Sequence, residues 1–99
     1  MRMNKQLESL PTPAVVVELD TMERNIKSMA EEAAKYGLKH RPHVKTHRSG
    51  FLANMQIQYG CSGVTAAKLG EAEVMADDGI QDIFIAYPII GRDKIERLL

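Results

Sequence analysis

Three short, extended-looking segments recur about 20 residues apart, centred near Val44, Thr65 and Ile85, and each is followed by a helical stretch. That interval is the one successive βα units take in a parallel sheet, and it restricts the chain more than any other feature. The second segment is Gly63-Val64-Thr65-Ala66-Ala67 and the third is Asp82-Ile83-Phe84-Ile85-Ala86-Tyr87. Between the first two, Ser49 is a candidate cap for a helix carrying Phe51, Leu52, Met55 and Tyr59 on one stripe, with Gly60 as its stop. Gly70 to Asp78 is helical in composition and Gly79 closes it.

At the far end, Ile95, Leu98 and Leu99 begin another apolar stripe. A (β/α)8 barrel needs about 250 residues, so 99 residues supply roughly two-fifths of one. The expected fold is therefore α/β, the N-terminal part of such a barrel, truncated after about three βα units. Its sheet edges are expected to be unpaired.

Upstream of the repeats, Pro11-Thr12-Pro13 punctuates a polar leader, and we read residues 1–13 as leader and 14–99 as the partial barrel domain. Ala14-Val15-Val16-Val17-Glu18-Leu19 is β-branched and strand-like. Asp20 with Glu23 three residues on forms a capping-box pattern for the next helix. Met22, Ile26, Met29, Ala30 and Ala33 fall on one face of that helix as its expected core side, and Gly37 is its expected stop.

Thirteen basic and thirteen acidic side chains cancel, so no global charge favours nucleic acid or an anionic membrane as partner. No run approaches the roughly 18 apolar residues of a membrane span, and Met1-Arg2-Met3-Asn4-Lys5-Gln6 has no apolar stretch behind its charges. The lone Cys61 excludes an internal disulfide and fits a reducing compartment, and the cytoplasm is the expected location.

Charge is local instead. His40, His43 and His47, the chain's three histidines, share eight positions with Arg41 and Lys45, and Arg48 follows directly. If Lys39 to His47 is a strand, its period of two places Arg41, His43, Lys45 and His47 on one face, with His40, Pro42, Val44 and Thr46 on the other. A basic row in a buried parallel sheet is costly unless it meets a ligand or opposite charge. Barrel sites lie at the C-terminal ends of strands, which puts Lys45 to His47 near the mouth. A lysine that forms a Schiff base must first lose its proton, and neighbouring cations such as Arg41 and Arg48 favour the neutral amine.

The residues alone leave alternatives open. Basic strand segments are more often solvated edges or loops. A metal site on His40, His43 and His47 has helical spacing, but Pro42 opposes the helix, and on a strand His40 faces away from the other two. A nucleic-acid surface lacks aromatic side chains in the segment for base stacking.

The string Arg41-Pro42-His43-Val44-Lys45-Thr46-His47 resembles the cofactor-lysine motif of fold type III pyridoxal-phosphate enzymes, in the D-threonine aldolase and D-serine dehydratase branch of the alanine racemase-like barrels. Thr12-Pro13-Ala14-Val15-Val16-Val17 with Leu19-Asp20, Ala67-Lys68-Leu69-Gly70-Glu71-Ala72-Glu73-Val74 and Ile85-Ala86-Tyr87-Pro88 follow in family order. Where many relatives have lysine after the second histidine, this chain has Arg48.

The resemblance implies an N-terminal pyridoxal-phosphate barrel with Lys45 as the Schiff-base residue, and His43, His47 and Tyr87 lining the cofactor pocket. It also implies that the strand through Val15 to Leu19 pairs with a C-terminal domain. That domain, in the full-length parent only, would carry ligands for a divalent metal (manganese, magnesium or zinc). The implied parent is a homodimeric lyase acting on small D-3-hydroxy amino acids by retro-aldol cleavage, with D-serine dehydration or amino-acid racemisation as alternatives and an inactive isolated fragment. A pyridoxal-phosphate carrier sharing the barrel and lysine is the non-enzymatic alternative.

Overall fold

Helix-stop glycines and short β-branched runs divide the chain much as the spacing predicts. The computed structural model describes residues 5–99. A single-turn helix α1 (Lys5–Glu8) precedes an exposed extended run, and the long helix α2 (Leu19–Lys35) follows. Next come a 3-10 turn (Val44–Thr46), α3 (Gly50–Gln58), β1 (Val64–Ala66), α4 (Leu69–Asp77), β2 (Ile83–Ile85) and α5 (Arg92–Leu98).

β1 and β2 pair in parallel, with Val64 opposite Ile83, Thr65 opposite Phe84 and Ala66 opposite Ile85. On the other side of β1 the third expected strand is reduced to a parallel bridge between His43 and Thr65. Two further contacts hold this segment in line: the Ser62 N–H donates to the His40 carbonyl at 3.0 Å, and the Thr65 N–H donates to the Pro42 carbonyl at 2.8 Å. The strand expected over Lys39 to His47 is thus cut short. Pro42 brings no N–H to a ladder, and from Val44 the backbone turns into 3-10 geometry. The fold is nevertheless the expected partial parallel α/β sheet.

Alternation still governs which side chains enter the core. Val44, Ala53, Val64 and Met75 are fully buried and cluster with Ile80, while Ile57 and Ile83 pack against them. The core therefore lies between one face of the sheet and helices α3 and α4. His43, Thr65 and Phe84, which face each other in register, belong to the opposite face, and Phe84 is 57% exposed there.

The glycine stops are as expected. At the end of α2, Gly37 has φ of +67°, the Leu38 N–H donates to the Ala33 carbonyl at 2.9 Å, and the Gly37 N–H donates to that of Ala34 at 3.0 Å. This is the Schellman pattern, and its left-handed residue is most easily a glycine. α3 and α4 end with the same pair of bonds around Gly60 and Gly79.

Four local expectations are corrected. Ala14 to Glu18 is not a strand: no neighbouring segment supplies a ladder among the described residues, and Val15 is 98% exposed. α2 starts before Asp20, with Glu18 at the N-cap and a hydrogen bond from Thr21 Oγ1 to the Glu18 carboxylate; Glu23 instead accepts from the Tyr59 hydroxyl. Met29 is 53% exposed, and Ala30 is the buried residue of that helix. On α3 the core side is Gly50, Ala53 and Ile57 rather than Phe51, which is 65% exposed. Small residues win here because the end of α4 comes very close: a Cβ on Gly50 would stand 1.8 Å from Asp78 Oδ2. Asn54 fastens the same junction, its amide donating to the Gly50 carbonyl at 2.9 Å and the Asp78 carbonyl at 3.1 Å.

Candidate functional site

The basic segment splits into two parts with different jobs. Arg41 belongs to the N-terminal end of the sheet. Its Nη1 lies 2.8 Å from Asp82 Oδ1 and donates to the Val64 carbonyl at 3.2 Å and the Asp82 carbonyl at 3.3 Å, so one guanidinium ties together all three parallel segments. Gly63 makes the crossing possible, because a Cβ there would fall 2.5 Å from Arg41 Nη1 and equally close to the Asp82 carbonyl. The hydrogen bond from Arg41 holds the Asp82 carboxyl below its ordinary range. The charge pattern alone puts Arg41 in the Lys45 neighbourhood; its charge is instead spent on Asp82, at the opposite end of the sheet.

The second part is the turn from His43 to Ser49. His43 is the N-cap of the 3-10 turn, and its Nδ1 accepts the Lys45 N–H at 3.3 Å. Val44 plugs the turn into the core, while the Arg48 N–H returns to the Val44 carbonyl at 2.7 Å and closes it. His47 Nδ1 accepts the Ser49 N–H at 3.0 Å, and its Nε2 meets Gln56 Oε1 at 3.1 Å. An Nδ1 that accepts leaves the ring proton on Nε2, so both imidazoles are assigned the Nε2–H tautomer when neutral. Ser49 caps α3 as expected, accepting the Leu52 N–H at 3.2 Å.

Lys45 itself is exposed, and its ammonium makes no hydrogen bond or ion pair among the described residues. It sits past the His43–Thr65 rung, toward the C-terminal ends of the parallel segments. Tyr87 lies two residues beyond β2 at that same end, exposed, and forms no hydrogen bond with His43, Lys45 or His47. His43, Lys45 and His47 are therefore gathered on one turn, and Tyr87 shares only the end of the sheet.

Two residues outside the basic motif complete the surroundings. Gln56 holds His47, and its position two turns into a capped helix carries no sequence signal. Glu71, in the first turn of α4, is the buried charged residue of the described chain; its Oε1 accepts the Ala67 N–H at 2.9 Å, and Arg48 Nε lies 3.7 Å from its Oε2. A glutamate three residues after the helix N-cap, Lys68, is its available sequence signal. Among the described residues, no group of three or more His, Cys, Asp or Glu side chains could hold a metal ion, and no helix is long and apolar enough to cross a membrane.

No protein-family model matches the chain. The 3-hydroxy-D-aspartate aldolase of Paracoccus denitrificans is 38% identical over 90 residues, covering 90% of this chain and 23% of that protein. The D-threo-3-hydroxyaspartate dehydratase of Delftia sp. HT23 is 43% identical over 84 residues, covering 85% of this chain and 22% of that protein. The crystal structure of D-threonine aldolase from Filomicrobium marinum superposes with a TM-score of 0.87 at 40% identity, over 90% of this chain and 24% of that one. Proteins similar to this chain include D-threonine aldolases, 3-hydroxyaspartate aldolases and dehydratases, and D-serine dehydratases. The resemblance seen in the sequence thus holds in the fold, and the chain spans about a quarter of the length of the relatives it matches.

Proposed function

We propose that this chain carries the cofactor-attachment lysine of a pyridoxal-phosphate-dependent lyase acting on D-3-hydroxy amino acids, with retro-aldol cleavage as its reaction and Lys45 as the attachment residue. The observation that supports it best is the state of Lys45: a primary amine without a partner among the described residues, held on a turn whose backbone is fixed on both sides by imidazole acceptors. An amine with no carboxylate on it is open to a carbonyl ligand once it has lost its proton. This one is offered at the strand-end side of a parallel sheet, where α/β barrels bind their ligands.

The residues present fit the cofactor in their donor chemistry. Lys45 supplies the nucleophilic amine, and the His43 Nε2–H, not engaged elsewhere in the described chain, is a free donor on the same turn. Both His47 nitrogens are occupied, so its contribution is to hold the turn against α3 through Gln56. Tyr87 completes the proposed pocket from the end of β2. When bound, pyridoxal phosphate supplies an electron sink for the substrate's α-carbon, and the protein supplies orientation and protonation. For the divalent metal of the proposed parent the described residues offer no ligand set, and no step is assigned to one.

Dehydration of the same substrate class is the second reading, and it rests on the 43% identity to a dehydratase. In the proposed organisation, residues 1–13 are a leader and 14–99 a partial barrel domain of a homodimeric parent in the cytoplasm. Incubating the protein with pyridoxal phosphate, reducing with borohydride and mapping the modified peptide tests the assignment: the adduct is expected on Lys45.

A further inference from the structure

Glu71 holds a buried carboxylate that the proposed function does not use. Its side chain is 4% exposed. One oxygen, Oε1, is satisfied by the Ala67 N–H just past β1, whereas Oε2 is buried with no hydrogen bond. A buried carboxylate needs compensating charge or donors, and the nearest cation is Arg48, whose Nε stands 3.7 Å from Oε2. At that distance the two form an ion pair without a hydrogen bond.

Arg48 is itself unusual. It has φ of +53°, the sole non-glycine residue with positive φ among the described residues, and it closes the Lys45 turn through its N–H to the Val44 carbonyl. Left-handed backbone in a long side chain persists where its surroundings determine it. Here the Val44 carbonyl holds the Arg48 N–H, and a buried anion on a neighbouring βα unit stands within ion-pair distance of its side chain. A cavity of about 330 Å³ between Arg48, Lys68, Gly70, Glu71, Val74 and Met75 leaves the guanidinium room to approach or withdraw.

We propose that Glu71 is a positioning residue for Lys45: its carboxylate holds Arg48 at the close of the Lys45 turn and ties that turn to the end of β1 through Ala67. The lysine's reach toward a ligand at the strand ends is then set jointly by two successive βα junctions. This rests on Lys45 being the reactive lysine, and the test separates the two ideas.

Three variants of the full chain are compared with the native protein: Glu71→Gln, Arg48→Ala and the double variant. Two readouts are taken. One is the pyridoxal phosphate concentration that half-labels Lys45 after borohydride reduction; the other is hydrogen exchange of the Lys45 to Arg48 amides without cofactor. Glutamine keeps the volume and the acceptor for Ala67 but removes the charge facing Arg48. We expect half-labelling to need roughly 3- to 10-fold more pyridoxal phosphate in each single variant and no more in the double, because both break one pair. The turn amides should exchange faster in all three, with helix amides of α3 unchanged. Arg48→Ala alters a 69% exposed side chain, so the test survives if Glu71→Gln does not fold. Native labelling and exchange in Arg48→Ala, or penalties that multiply in the double variant, overturn the proposal. If labelling falls on another lysine, the functional reading fails, while the exchange of the turn amides still decides whether Glu71 positions them.

Discussion

His43 Nδ1 accepts the backbone N–H of Lys45 at 3.3 Å, so an imidazole two residues upstream caps the turn that presents the lysine. The same ring is one residue from Val44, the fully buried side chain that anchors the turn to the core. His43 and Val44, one polar and one apolar, thus hold the Lys45 turn from its upstream side.

Replacing the cap tests this relationship. His43→Ala should lose about 0.5–2 kcal/mol of stability, the usual cost of removing a capping acceptor, while His43→Asn, which can also accept, should recover part of it. Urea unfolding of the two variants beside the native chain measures the difference. Equal stability of all three would show that the ring is a bystander.

A second prediction concerns the bottom of the sheet. Gly63→Ala forces a Cβ against Arg41 Nη1 and the Asp82 carbonyl, and should cost about 1–3 kcal/mol through displacement of the Arg41 tie. Because a backbone carbonyl is among the obstacles, a simple side-chain rotation cannot relieve it. Unchanged unfolding midpoints would contradict this crossing.

The Arg41–Asp82 pair also sets a pH dependence. The Asp82 carboxyl titrates below its ordinary value in the folded chain, so its stabilising contribution is present above the unfolded value of about 3.9 and is lost as pH falls through the lower folded value. Asp82→Asn should flatten that acid limb and leave stability near neutral pH only slightly reduced, since Asp82 is largely exposed. Denaturant midpoints measured from pH 6 down to pH 2 provide the comparison; an unaltered acid limb in the variant would assign it to other carboxylates.

Core placement separates two methionines that look alike in the sequence. Met75→Ala should cost about 2–5 kcal/mol because Met75 is fully buried in the cluster, whereas Met29→Ala, on the exposed side of α2, should stay within about 0.5 kcal/mol. Comparable losses in both would mean that α2 packs against more of the chain than Ala30 reaches.

Features set by neighbours along the chain are legible in the amino-acid sequence. The helix stops at Gly37, Gly60 and Gly79 and the cap at Ser49 depend on local backbone chemistry, and local chemistry is written in the residues themselves. The parallel rhythm is legible for the same reason. What escapes depends on neighbours distant in sequence. Gly50 and Ala53 form the core face of α3 because Asp78 approaches it, and Arg41 leaves the lysine's company because Gly63 opens a path to Asp82. The Val15 to Val17 run has strand composition, yet a strand needs a ladder, and the described chain offers none. In the candidate site, the lysine and its histidines come from a contiguous motif, whereas Gln56 and Glu71 join it only through folding.

The role of Lys45 is tested most directly by the site of reductive labelling. The protein is treated with pyridoxal phosphate and borohydride, digested, and the modified lysine identified by mass spectrometry, with Lys45→Ala as the control. One dominant adduct on Lys45 is expected, together with loss of the bound-cofactor absorbance in Lys45→Ala. A dominant adduct on Lys39 or Lys68, or undiminished absorbance in the variant, would contradict the assignment.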